Sequence, residues 1–241
     1  MIYFIDGSLE GLFSGIFLGY KDIQEIQFFE KSMEQSFLED QKFIDTNLEY
    51  SNRVKKSIID NFGYGFLSDI KSVLKSDSME KYTILARVIK GCYIYGMDYL
   101  NCSSDETVMY NGILRNFYRE CHAYKGLLRF QESKDKILVA EFEPINDILD
   151  IMITHFKKRM PEEKFIIIDK KRKKAKVYDG KQVLEYNDLD FNYDRNSKDY
   201  FVEECWKEFY NAVKIEERNN PNLMQSNMPK RYWKYLPEKK Q

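Results

Sequence analysis

The hydrophobic period changes along this chain, and that change limits the folds open to it. Between residues 51 and 100, apolar side chains recur at helical spacing: Val54, Ile58, Ile59 and Phe62, then Phe66, Ile70, Val73 and Leu74, then Ile84, Leu85, Val88, Ile89 and Cys92. Past Gly126 the pattern shortens into runs rich in β-branched and aromatic residues. Leu127-Leu-Arg-Phe-Gln-Glu132 and Ile137-Leu-Val-Ala-Glu-Phe142 read as one pair of strands. Phe165-Ile-Ile-Ile168, Ala175-Lys-Val-Tyr178 and Gln182-Val-Leu-Glu-Tyr186 read as a second antiparallel set, with Asp179-Gly180 as its tight turn. No regular β-α-β alternation appears, which predicts an α+β fold: a helix-rich first half, then antiparallel hairpins and helices.

The remaining elements follow from local signals. Ile2-Tyr-Phe-Ile5 is a short strand broken by Asp6-Gly7-Ser8, and Ser8 caps an amphipathic helix through Leu12, Phe13, Ile16 and Phe17. Ser103-Ser-Asp-Glu106 has capping-box spacing, ahead of a helix with Tyr110, Leu114, Phe117, Cys121 and Tyr124 on one face and Asn111, Arg115, Arg119 and His122 on the other. Asn146 is placed to cap a helix through Ile148, Leu149, Met152, Ile153 and Phe156, which carries His155 and Arg159 four residues apart. Ser197 precedes a last helix with Val202, Cys205, Trp206, Phe209 and Val213 inward. The expected organisation is one compact domain over residues 1–241 with a C-terminal basic-aromatic arm at about 215–241.

Composition narrows the function classes. Apolar residues make up 43% and charged residues 32%, so the chain can bury a core and is not a disordered tail. No apolar run reaches the length of a membrane span and no basic leader precedes the first strand, so the expected location is cytoplasmic, without membrane partners. Four cysteines lie far apart with no Cys-x-x-Cys pair, which predicts free thiols, no metal site and no cofactor; Cys121 and Cys205 fall on apolar helix positions, where burial is expected.

The net charge of -1 conceals an uneven distribution. Residues 1–50 hold three lysines against ten acids, whereas residues 154–181 hold eleven Lys or Arg against four acids. The basic part suits an anionic partner, or else Asp169-Lys-Lys-Arg-Lys-Lys-Ala-Lys176 is a solvated hairpin turn blunted by lysine. The arm Ile215 to Pro237 interleaves cations and aromatic rings between three prolines. It is built either to bind phosphates and stack bases or to strap Tyr232, Trp233 and Leu236 onto the body.

For chemistry, only two histidines exist, His122 and His155, each beside arginine at helical spacing. A neighbouring cation favours the neutral imidazole, suited to accept a proton. Glu141, Glu143 and Asp169 are the candidate carboxylate partners at strand ends. The sequence carries no Gly-x-Ser-x-Gly elbow, phosphate-binding Walker loop or His-Glu-x-x-His.

Several segments together resemble one bacterial family, a domain of unknown function associated with DNA metabolism and DNA repair. They are Tyr3-Phe-Ile-Asp-Gly-Ser-Leu-Glu-Gly-Leu12, Glu120-Cys-His-Ala-Tyr-Lys-Gly-Leu-Leu-Arg-Phe130, Glu143-Pro with His155-Phe and Arg159, Trp206-x-x-Phe-Tyr210, and Arg218-Asn with Met228-Pro-x-Arg-Tyr-Trp233. The resemblance spans essentially the whole chain; Ala123 departs from it, standing where a larger basic residue is expected after the histidine.

The resemblance implies a protein found beside a radical-SAM protein or fused to a uracil-DNA-glycosylase-like domain. This chain lacks both the Cys-x-x-x-Cys-x-x-Cys of the former and the Gly-Glu-x-Pro-Gly of the latter, so the stand-alone form is expected. The leading expectation is an accessory DNA-processing protein that binds DNA, single-stranded DNA included, or docks a separately encoded radical-SAM protein. Its working surface would hold Arg119, His122, Lys125, Arg129, His155, Arg159, Arg218, Asn219, Arg231, Tyr232 and Trp233. The alternatives are a hydrolase or glycosylase-like enzyme using His122 or His155 with Glu141, Glu143 or Asp169, and a structural partner without a site of its own.

Overall fold

A computed structural model describes residues 1–31, 40–134, 136–187 and 220–239, together with 204, 205 and 208. By contact the chain divides into two compact units, Met1–Tyr118 and Arg119–Gln241. The class is α+β, with helices dominating the first half and a mixed sheet in the second. No helix among the described residues is long and apolar enough to cross a membrane.

In the first unit, strand β1 (Ile2–Ile5) is buried on both faces and lies between two short parallel strands, β2 (Gln27–Glu30) and β3 (Gln41–Phe43). Full burial of Ile-Tyr-Phe-Ile suits the centre of a parallel sheet, which helices cover. Helix α1 (Leu9–Gly19) starts at Ser8, whose Oγ accepts from the Gly11 amide at 2.9 Å. Asp6, at the end of β1, accepts from the Ser8 hydroxyl and amide and from the Thr46 hydroxyl at 2.6 Å. Burial pushes its pKa up, but these donors outweigh that and hold the carboxyl below its ordinary value.

Helix α2 (Leu48–Leu74) carries a bend at Gly63, where φ is +80°, a region only glycine enters freely. Helix α3 (Lys81–Tyr95) buries Tyr82, Ile84, Leu85, Val88, Ile89 and Cys92 in the unit's main core. Gly91 lets α3 approach Tyr99: a Cβ there would lie 2.1 Å from the tyrosine ring. Helix α4 (Asp105–Leu127) is capped by Ser104, not Ser103; the Ser104 Oγ faces the Thr107 amide at 3.4 Å. The capping-box spacing was one residue out of register because Thr107 closes the turn with its own hydroxyl on the Cys102 carbonyl.

The second unit is built on one five-stranded sheet, β4 (Gln131–Glu132), β5 (Leu138–Phe142), β6 (Phe165–Asp169), β7 (Lys174–Tyr178) and β8 (Val183–Asn187), in sequential order. Neighbouring strands are antiparallel except β5 and β6, which run parallel with Leu138 opposite Phe165. The two expected strand sets are thus one sheet. Helix α5 (Leu149–Arg159) connects β5 to β6 and packs on β6 and β7 through buried Leu149, Met152, Ile153 and Phe156. Its cap is Ile148, while Asn146 is drawn away by Glu120, as described below. Cys121 is buried, but Cys205 is exposed, so the expected burial of Cys205 does not hold. The rest of the expected last helix, including Val202, Trp206, Phe209 and Val213, lies outside the described residues.

Candidate functional site

The end of α4 anchors the second unit through its buried face. Tyr124 meets Phe142 edge-on at 5.0 Å and Tyr232 at 4.8 Å, while its hydroxyl donates to the Glu143 carbonyl at 3.1 Å. One turn earlier Glu120, only 2% exposed, accepts from the amides of Ile145 and Asn146 at 2.9 and 2.8 Å and from Asn146 Nδ2 at 2.7 Å. A buried carboxylate costs free energy unless it is hydrogen-bonded, and here three donors surround it. The loop after β5 is therefore fastened to α4. Sequence reasoning passed over this role, although Glu120 stands on the apolar stripe between Phe117 and Tyr124, where a charge signals a network.

Turned away from that anchor, α4 presents Arg119 and His122 to solvent, with Lys125 half-buried. On α5, Phe156 packs edge-on against Phe130 at 4.9 Å, which brings His155 beside the end of α4. The His155 Nε2 is buried without a hydrogen-bond partner. Desolvation, then the positive charges of Lys125 and Arg159, hold its pKa below the ordinary 6.5. Arg129 lies on the same stretch, its Nη1 donating to the Gly126 carbonyl at 2.8 Å. The structure thus brings Lys125, His155 and Arg159 together, and no carboxylate pairs with Lys125 or Arg159 among the described residues.

The carboxylates are spread out and engaged separately. Glu141 pairs with Lys170 at 3.4 Å. Glu143 accepts from Lys234 and from the Tyr235 hydroxyl, which hold its carboxyl below the usual range. Asp169 is fully buried, its Oδ1 accepting from the Lys171 and Arg172 amides and its Oδ2 paired with Arg172 at 3.0 Å. Burial pushes its pKa up against the pull of Arg172. It braces the β6–β7 turn, where Lys173 takes a φ of +52°.

The basic run after Asp169 is largely neutralised within the unit. Arg172 donates to the Pro144 and Ile145 carbonyls as well as to Asp169. Lys174 pairs with Asp147 at 3.2 Å, and Lys176 pairs with both Asp150 and Glu185. These lysines tie the hairpin to α5 and β8, a role that alternation alone could not separate from a free cationic patch.

The tail is fastened along one side. Tyr232 is 3% exposed and Leu236 fully buried, both in or beside a 3-10 helix over Lys230–Tyr235 that touches β5. Arg231 is exposed, donates to the Tyr232 hydroxyl at 2.8 Å and lies within electrostatic reach of Glu120. Trp233 is half-buried: its Nε1 donates to the Met228 carbonyl at 2.9 Å, and Lys230 and Lys239 stand 6.0 and 5.5 Å from its ring centroid. Arg218 and Asn219 lie outside the described residues.

A family model described as a domain of unknown function, DUF4130, matches residues 79–238. No curated protein and no solved structure matches the chain.

Proposed function

The chain belongs to the DUF4130 family of domains of unknown function, and from that premise we propose that it is an accessory DNA-processing protein whose second unit binds single-stranded DNA. Its enzymatic partner is a separately encoded radical-SAM protein, a reading supported by the composite resemblance of the Glu120–Phe130 and Met228–Trp233 segments. The observation that carries DNA binding is the imbalance around His155. A half-buried lysine and an exposed arginine stand beside an unpartnered imidazole nitrogen, without a carboxylate to neutralise them. A phosphate supplies what is missing: negative charge beside Lys125 and Arg159, whose field also favours the protonated imidazole. Arg119 and Arg231 are further exposed cations of the same unit.

Fluorescence anisotropy of a labelled single strand across a salt series tests this. For the native chain, log affinity falls linearly with log salt, by ~0.7 per phosphate contact. Lys125→Ala with Arg159→Ala flattens that slope by roughly 1.4. Affinity indifferent to salt, or a slope unchanged in the double variant, would remove the proposal.

The histidine supplies a second test. Its folded pKa lies below the unfolded value of 6.5, so above that pH it makes no difference to stability. As pH falls below it, the unfolded chain takes up the proton first and stability declines until the folded imidazole also titrates. A bound phosphate stabilises the imidazolium, so DNA raises the pKa of His155 in an NMR titration and binding tightens as the pH is lowered from about 7 toward 5. His155→Gln abolishes that pH dependence; its persistence in the variant would assign the proton elsewhere.

The enzyme reading has one observation in its favour, because a neutral, unpartnered Nε2 is also suited to act as a base. Turnover of any nucleic-acid substrate that survives in the His122→Ala, His155→Ala variant would exclude both histidines from that role.

A further inference from the structure

The first unit contains a cavity of about 410 Å3 between α1, α2 and α3 that plays no part in the surface around His155. Its size falls within the ~300–1,000 Å3 typical of small-molecule sites. Most of its lining precedes residue 79, outside the segment that the family model matches. Three aromatic rings, Phe17, Tyr20 and Tyr93, contribute to the wall, and no carboxylate does among the described residues.

The polar groups of the cavity are specific. Arg53 holds its guanidinium 5.0 Å from the centroid of Phe17, which is itself stacked on Tyr50, and no carboxylate pairs with it among the described residues. Stacking on an aromatic face leaves the in-plane N–H donors of a guanidinium able to bind an anion. Ser57 accepts from the Tyr93 hydroxyl at 2.7 Å and faces the Asn61 amide at 3.4 Å, so its own proton is directed to neither. At the rim, Tyr20 is 40% exposed; outside the lining, the Lys90 ammonium stands 5.6 Å from its ring centroid and donates to the Lys21 carbonyl at 2.7 Å.

An aromatic and aliphatic lining, one hydroxyl donor and the Arg53 guanidinium, with no acid among the described lining residues, suit a small aromatic ligand that bears an anionic group. We propose that this cavity binds a nucleoside 5′-monophosphate, the base lying among Phe17, Tyr20 and Tyr93 and the phosphate on Arg53. Ser57 donates to an acceptor on the base edge. The same chemistry is offered by a free nucleotide and by the phosphorylated 5′ end of a DNA strand.

Isothermal titration calorimetry of the full chain separates the possibilities. The four common 5′-monophosphates and their four nucleosides are titrated into the native protein and into Arg53→Ala. At least one monophosphate binds, and at least about tenfold more tightly than its nucleoside, the margin expected from a charge-assisted phosphate contact. Arg53→Ala binds nucleotide and nucleoside with equal affinity, and because Arg53 is exposed its loss leaves the melting temperature in place. Absence of binding by all four monophosphates at millimolar concentration overturns the proposal, as does an Arg53→Ala variant with native discrimination.

The two sources of the nucleotide are told apart in the Lys125→Ala, Arg159→Ala background, where second-unit binding is weakened. There a 5′-phosphorylated oligonucleotide that displaces the monophosphate marks a strand-end site, and one that does not marks a free-nucleotide site. A failure of DNA binding at the second unit leaves the monophosphate titration untouched, so the two proposals fall separately.

Discussion

Tyr232→Ala is expected to destabilise the second unit by about 3 kcal/mol, the lower end of the range for truncating a buried aromatic side chain. The ring is 3% exposed and meets Tyr124 edge-on at 4.8 Å, an arrangement worth ~0.5–1.5 kcal/mol beyond simple burial. Tyr124 in turn packs on Phe142 of β5, so removing Tyr232 opens a cavity over the junction of helix, sheet and tail. Tyr232→Phe keeps the packing and deletes only the oxygen that accepts from Arg231, at a cost of about 1 kcal/mol. Urea denaturation followed by tryptophan fluorescence measures both. If alanine shifts the midpoint no more than phenylalanine does, the tail does not pack as described. The result also separates two roles of one segment: Tyr232 and Leu236 fasten it, whereas Arg231 remains exposed for a ligand.

The second large effect is expected at Glu120. Replacement by alanine strands the amides of Ile145 and Asn146 and the Asn146 side chain without their acceptor. Each unpaired buried donor costs ~1–3 kcal/mol, and partial access of water reduces the sum, so a loss of about 3 kcal/mol is anticipated. Glu120→Gln is nearly isosteric but can turn an NH2 toward amide donors, so it also destabilises, by roughly 1–2 kcal/mol. A double-mutant cycle with Asn146→Ala checks the assignment, because direct partners show a coupling of ~0.5–3 kcal/mol. Additive losses would mean that Glu120 acts through some other contact.

How far the sequence foretold this structure depended on how local each signal was. The stripe Tyr110, Leu114, Phe117, Cys121 and Tyr124 is the inward side of α4, and Arg115, Arg119 and His122 face solvent, because a sustained 3.6-residue period leaves one solution. Asp179-Gly180 turns β7 into β8 for equally local reasons: the aspartate oxygen accepts from the next amides, and Gly180 takes a φ of +93°. The strands Gln27–Glu30 and Gln41–Phe43 were not foreseen, since their polar ends carry little period and they exist by pairing with β1, far away in sequence. The parallel joining of β5 to β6 is likewise a tertiary fact.

The same distinction governs the candidate sites. His155 and Arg159 were placed together by helical spacing, but the approach of Lys125 depends on Phe130 docking against Phe156. Asp169 looked like a strand-end acid free for chemistry, and only the fold reveals how Arg172 and two amides surround it. The cavity beside Arg53 draws on three separate helices, so no single window of sequence contains it.

The late position of Tyr232 and Leu236 has a consequence for the nascent chain. Lys234 pairs with Glu143 across 91 residues, and the tail segment closes over the helix–sheet junction at a similar separation. At ~5–20 residues per second, a ribosome needs roughly 5–20 s to make that intervening stretch. Through that interval Tyr124 and Phe142 have emerged without their cover, leaving an aromatic surface available to chaperones or to a neighbouring nascent chain. A stall in translation between β5 and the tail would therefore prolong the time for which this aromatic surface stays uncovered.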